Sequence, residues 1–139
     1  MFGWAWPIFG VAAAGATFVA GAIVPFVALR RLWSLGHVIL AVGVTLPVIS
    51  PGPVAVLASA LLVGSMFTVI TMAGFQEGRR VAGARGRQMI AAMASAFSVG
   101  QIAGPVCVGA LIRPDDPFSA PLLIASLLLL ASAGALVWR

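Results

Sequence analysis

Long apolar runs divided by short polar breaks dominate this chain. The first run, 7–29, carries no charge and is closed by Arg30 and Arg31. A helix of about 23 residues rises far enough, at about 1.5 Å per residue, to cross roughly 30 Å of hydrocarbon. Trp4 and Trp6 stand just before it, where a membrane-interface aromatic belongs. From Leu32 to Gln76 only His37 can carry charge, and the stretch is too long for one span. Ser50-Pro51-Gly52-Pro53 breaks it with a strong turn signal. The pattern predicts helices over 34–48 and 54–75. The segment from Gln76 to Arg87 is the only sustained polar stretch, with Arg79, Arg80, Arg85 and Arg87 beside Glu77. A fourth helix is predicted over 89–112. Arg113-Pro114-Asp115-Asp116-Pro117 makes a polar turn, and a fifth helix follows over 118–138.

Membrane strands alternate apolar and polar residues over about ten positions. These runs are uniformly apolar and about twice that length, so the period selects helices. Composition agrees. Hydrophobic residues make up 62% of the 139 residues and charged residues 8%, against about 25% charged in an ordinary globular protein. So few charges cannot cover the surface of a soluble domain of this size. The expected fold is an all-α membrane protein of about five transmembrane helices, forming a single transmembrane domain over 1–139 with the lipid bilayer as its surroundings.

The net charge is +5, and every basic residue is arginine. The arginines sit in short clusters between apolar runs and form no basic face along an element, which argues against nucleic-acid binding. They do orient the chain. Five spans put Arg30, Arg31, Arg79, Arg80, Arg85, Arg87 and Arg139 on one side and Arg113, beside Asp115 and Asp116, on the other. The positive-inside rule then places the N-terminus outside and the C-terminus in the cytoplasm. Residues 1–7 lack the basic start of a cleaved signal. Cys107 stands alone, so it has no internal disulfide partner and is expected to serve as a small packing residue.

Polar residues inside the spans are the candidates for function. Gln101 lies near the middle of the fourth helix, where an amide is costly unless paired. Ser98 is three residues earlier on the same face, and Pro105, four residues later, frees a backbone carbonyl near Gln101. In the third helix Ser65, Thr68, Met72 and Gln76 follow one stripe. Two readings stay open for these residues, a cavity lining and an interhelical or own-helix hydrogen bond. Glu77 reads as a salt-bridged interface residue beside Arg79 and Arg80. His37 reads as an interface residue near the cytoplasmic end of the second helix. Gly10, Ala14 and Gly21 in the first helix, and Ser95, Gly100, Gly104 and Gly109 in the fourth, offer small-residue faces for helix packing. No metal-ligand spacing, phosphate loop or nucleophile motif is present, so neither a metal, a cofactor nor an enzyme activity is expected.

Three segments together resemble a known family. They are Gly64-Ser65-Met66-Phe67-Thr68-Val69-Ile70-Thr71, Glu77-Gly78-Arg79-Arg80, and Ala96-Phe97-Ser98-Val99-Gly100-Gln101-Ile102-Ala103-Gly104-Pro105. They are similar to the C-terminal half of the YbfB/YjiJ-type branch of the major facilitator superfamily, over nearly the whole chain, as helices eight to twelve of twelve. The superfamily's Gly…Asp-Arg-x-Gly-Arg loop motif is reduced here to Gly21, Arg30, Arg31 and Gly36, without its acid. The resemblance implies secondary transport of a small organic solute across a bacterial inner membrane, with proton coupling the usual expectation. It implies that the tenth helix lines the central cavity and the eighth and eleventh flank it. That favours Thr68, Met72, Ser98 and Gln101 as cavity residues and disfavours His37. It also implies that the chain is a fragment of a twelve-helix transporter, needing the missing N-terminal helices or a second membrane chain. The alternative is a small stand-alone membrane protein that assembles with itself or a partner.

Overall fold

The computed structural model describes residues 2–112, 115–116 and 118–138. Arg113, Pro114, Pro117 and Arg139, used in the charge and turn arguments above, lie outside the described residues. After a short 3₁₀ turn, Phe2–Trp4, five α-helices follow: α1 (Ala5–Ile23), α2 (Leu29–Ile49), α3 (Pro53–Ala82), α4 (Gly86–Leu111) and α5 (Ser119–Val137). Their 19, 21, 30, 26 and 19 residues correspond to roughly 29–45 Å of helix, enough for each to cross a bilayer. No strand occurs among the described residues.

Three boundaries differ from the expected ones, for local reasons. α1 stops at Ile23 rather than near 29, because Pro25 has no backbone N–H with which to continue the helix. Val24 N–H closes the last turn on the Ala20 carbonyl at 2.9 Å. α2 starts at Leu29, five residues before the predicted 34, and takes Arg30 and Arg31 into its first turn. Nothing between Leu29 and Leu35 is a proline or glycine, so nothing delays the helix. α3 runs on past 75 to Ala82. The Glu77–Arg80 pair, three residues apart, supports the added turns, and Arg79 and Arg80 complement the helix dipole at its C-terminal end. It ends at Gly83, whose φ of 53° favours glycine.

α3, the turn at Gly83–Arg85 and α4 form one helical stretch of 59 residues. It is folded back on itself, since Gly78 meets Met93 and Phe67 meets Phe97. It therefore supplies two spans. α3 is the central helix. α1 lies parallel to it, with Phe9 beside Gly64 and Ala13 beside Thr68. α2 lies antiparallel to it on another side, with Gly43 beside Leu62 and Gly74 beside Trp33. α5 packs on the far face of α2. Ser34 Oγ donates to the Ala133 carbonyl at 3.0 Å there. Thr45 Oγ1 and Ser126 Oγ lie 2.9 Å apart, both within reach of the Ala41 carbonyl. α4 leans on α3 through its N-terminal half and touches α5 only lightly.

The interior is made of small side chains. Ala12, Ala20, Ala41, Ala55, Val69, Ala73 and Ala133 are buried, whereas Phe18, Phe26, Val106, Leu127 and Leu128 are exposed. A soluble protein would reverse that arrangement. In lipid it is stable, because large apolar side chains meet acyl chains and small ones let helices approach. The glycines that fill this role were not the expected ones. A Cβ on Gly64 would come within 2.8 Å of Phe9 Cα, and one on Gly43 within 2.9 Å of Leu62 Cβ. Gly10, Gly21, Gly100, Gly104 and Gly109 face open space. Cys107 is likewise exposed on α4.

Candidate functional site

Several clefts open along α3, three of them within the bundle. A groove of about 260 Å³ between α1 and α3 is lined by Thr17, Ala20, Phe67, Thr68, Thr71 and Met72. A second, of about 450 Å³, runs between α1, α2 and α3, is almost wholly apolar and includes Ser65. The largest, about 650 Å³, lies where α4 diverges from α2 and α5. Trp33, His37, Phe67, Thr71, Phe97 and Ser98 are among its lining residues. Phe67 and Thr71 belong to both the first and the third cleft, so this turn of α3 divides them. An aromatic row crosses the same region. Ring centroids are 5.9 Å apart for Trp6–Phe9, 6.1 Å for Phe9–Phe67 and 5.9 Å for Phe67–Phe97, which links α1, α3 and α4.

The structure separates the residues that sequence placed together. Thr68 and Met72 share the α1–α3 groove. Ser65, on the same stripe of α3, falls in the second groove because α1 lies over the stripe and divides it. Thr68 Oγ1 is 3.2 Å from the Ala13 carbonyl and 3.4 Å from its own Gly64 carbonyl. Its hydroxyl thus joins α1 to α3 at the groove wall. Ser65 donates to Leu62 O at 2.9 Å, within its own helix. Gln76 is exposed. Ser98 donates back to Ala94 O at 3.0 Å and lines the third cleft. Gln101, one turn further along α4, is exposed and lines none of the three clefts. α4 continues unbroken through Pro105.

His37 lies two turns inside α2 and is only 9% exposed. Its Nδ1–H donates to the Trp33 carbonyl at 2.9 Å. The Trp33 ring, 6.2 Å from the imidazole between centroids, lines the same cleft.

At the arginine-rich end, Glu77 is nearly buried, and Arg80 grips its carboxylate. Arg30, from the start of α2, is close enough to add a second positive charge. The loop after α1 lacks an acid of its own, but α3 supplies one from across the helix pair. Arg31, Arg79, Arg85 and Arg87 are exposed at the same end. Among the described residues no group of three or more His, Cys, Asp or Glu side chains is placed to hold a metal ion.

The three clefts are lined mainly by apolar side chains, with a few hydroxyls and aromatic rings. No curated protein and no solved structure matches the chain. A family model, described as uncharacterised MFS-type transporter YbfB, matches residues 3–137. With nearly every residue inside that match, and with long apolar helices that make it a multi-pass membrane protein, the chain belongs to the YbfB family of major-facilitator-type transporters.

Proposed function

We propose that the chain forms one wall of a solute pathway in a secondary active transporter of small organic solutes, with the path running along α3 between α1 and α4. The observation that carries this reading is the position of Phe67 and Thr71, which line the clefts on both sides of α3. Thr17, Thr68, Thr71 and Ser98 offer hydroxyls along this surface, and Met72, Phe67 and Phe97 offer apolar contact. Gln101 extends the polar side of α4 beyond Ser98. An amide at that depth needs a partner, and none of the five helices provides one. The opposite wall, in this proposal, comes from helices beyond these five, either N-terminal helices of a longer transporter or a second membrane chain. Glu77 is engaged by Arg80, so a coupling carboxylate for proton-driven transport would stand on that other wall.

The proposed membrane is a bacterial inner membrane, with the arginine-rich end cytoplasmic, on the strength of the positive-inside rule. The open faces at Gly10, Gly21, Gly100 and Gly104 also suit the alternative, a small membrane protein that assembles with a partner. A solute-uptake screen separates the two readings. It uses an intact relative, with and without a proton gradient, and compares wild type with Thr71→Val. Transport requires uptake that collapses with the gradient and falls at least tenfold in the variant at equal membrane abundance. Unchanged uptake in Thr71→Val would remove the pathway from this face of α3. Absence of uptake for every solute, with a stable complex of several chains, would favour the assembly protein.

A further inference from the structure

The turn between α3 and α4 forms a cleft of its own at the arginine-rich end. Val81, Ala82, Arg85, Gln88, Met89 and Ala92 line about 480 Å³. Arg85 and Gln88 supply its polar side. α4 begins at Gly86 and runs into the bundle, so Met89 and Ala92 lie successively deeper. Ala92 is about 10 Å below Arg85 along the helix, at about 1.5 Å per residue. The cleft is therefore cationic and hydrogen-bonding at the membrane surface and apolar towards the hydrocarbon. A phospholipid has the same order, with an anionic phosphodiester above an acyl chain.

The charge at this end is unbalanced. The chain has three acids, Glu77, Asp115 and Asp116, and the two aspartates follow α4 at the opposite end of the bundle. Glu77 is engaged by Arg80. Arg79, Arg85 and Arg87 thus crowd one turn without a carboxylate of their own. Arg79 is held close to it, since a Cβ on Gly86 would come 3.0 Å from Arg79 Cγ. Basic pockets between transmembrane helices at the cytoplasmic surface attract anionic headgroups.

We propose that this cleft binds an anionic phospholipid, its phosphodiester on Arg85 and Gln88 and the start of one acyl chain along Met89 and Ala92. Arg79 and Arg87 strengthen the local field. The bound lipid braces the turn from which α4, the least tightly packed helix, departs. A free phosphate carries the same charge chemistry, but it leaves the apolar lower half of the cleft empty.

Native mass spectrometry of the full chain in neutral detergent tests this, by titrating phosphatidylglycerol and phosphatidylcholine and following the first bound lipid. Phosphatidylglycerol is expected to bind in preference. Arg85→Gln is expected to weaken that first binding about fivefold, the usual contribution of one basic side chain near an anionic lipid. Arg85→Lys should retain most of it. Arg31→Gln, on α2 and outside the cleft, should bind as wild type does. Both side chains are exposed, so folding is not at risk. Equal weakening in Arg31→Gln and Arg85→Gln would overturn the site in favour of a diffuse positive field. Displacement of the lipid by inorganic phosphate, beyond that by chloride at equal ionic strength, would overturn the lipid in favour of a soluble anion.

Discussion

The guanidinium of Arg80 donates from Nε to Glu77 Oε2 and from Nη2 to Glu77 Oε1, both at 2.8 Å. The two ends of this pair are unequally placed. The Glu77 side chain is 7% exposed and that of Arg80 69%. Removing the arginine leaves a buried carboxylate short of two charge-assisted hydrogen bonds, whereas removing the carboxylate leaves an arginine that water can solvate. Arg80→Gln is therefore expected to lower the thermal unfolding midpoint in detergent by on the order of 5 °C. Glu77→Gln should lower it by clearly less. Equal shifts in a thermal melt would show that burial of the carboxylate does not control the pair.

Gly64 sets the distance between α1 and α3. A Cβ there would press on the Phe9 backbone, 2.8 Å from its Cα. Backbone cannot rotate aside as a side chain can. Gly64→Ala is expected to push α1 outward and cost about 1–3 kcal/mol, the usual range for overpacking a close contact. The shift would also break the contact from Thr68 Oγ1 to the Ala13 carbonyl. Disulfide crosslinking between cysteines placed at Ala13 and Thr68, in a background lacking Cys107, should fall sharply in the Gly64→Ala protein. Undiminished crosslinking would show that α1 accommodates the methyl group.

The α2–α5 pair is held by hydroxyls, with Thr45 Oγ1 and Ser126 Oγ 2.9 Å apart. Interhelical hydrogen bonds in membrane proteins contribute about 0.6 kcal/mol on average and up to about 1.7. Ser126→Ala removes the bond without adding volume and is expected to cost about 1 kcal/mol, read from reversible unfolding in mixed micelles. A cycle with Thr45→Val should give a coupling of roughly 0.6 kcal/mol. Strict additivity would mean that each hydroxyl bonds only to the Ala41 carbonyl.

Helix number and order were legible in the hydrophobic runs, because each span needs about 20 apolar residues and each break here carries proline, glycine or charge. Helix ends were less legible. Pro25 ended α1 inside an apolar run, and the arginines at 30 and 31 entered α2 although charge suggested a loop. Pairing was not legible at all. Glycine and alanine occur on every helix, so composition did not reveal that Gly43 and Gly64 meet neighbours while Gly100 and Gly104 meet none. The candidate stripe of Ser65, Thr68 and Met72 is a true helical stripe, yet α1 covers its middle and sends its members to two grooves. The burial of His37 was not legible either, because it depends on which helices pack around α2.

Gln101 offers the most direct test of the proposed opposite wall. It lies well inside α4, is exposed, and follows Ser98 along the side of the helix that borders the largest cleft. Facing lipid, an unpaired amide would be a standing cost, and leucine in its place would stabilise the protein. Facing a solute or a partner helix, the amide would be satisfied, and leucine would abolish its hydrogen bonds. In an intact relative, Gln101→Leu is expected to reduce uptake to background without lowering the amount of protein in the membrane. Gln101→Asn, which keeps the amide on a shorter stem, should recover a measurable fraction. Normal transport by the leucine variant would place Gln101 against lipid and remove it from the pathway. Loss of both transport and membrane abundance would make it a packing residue at a helix interface.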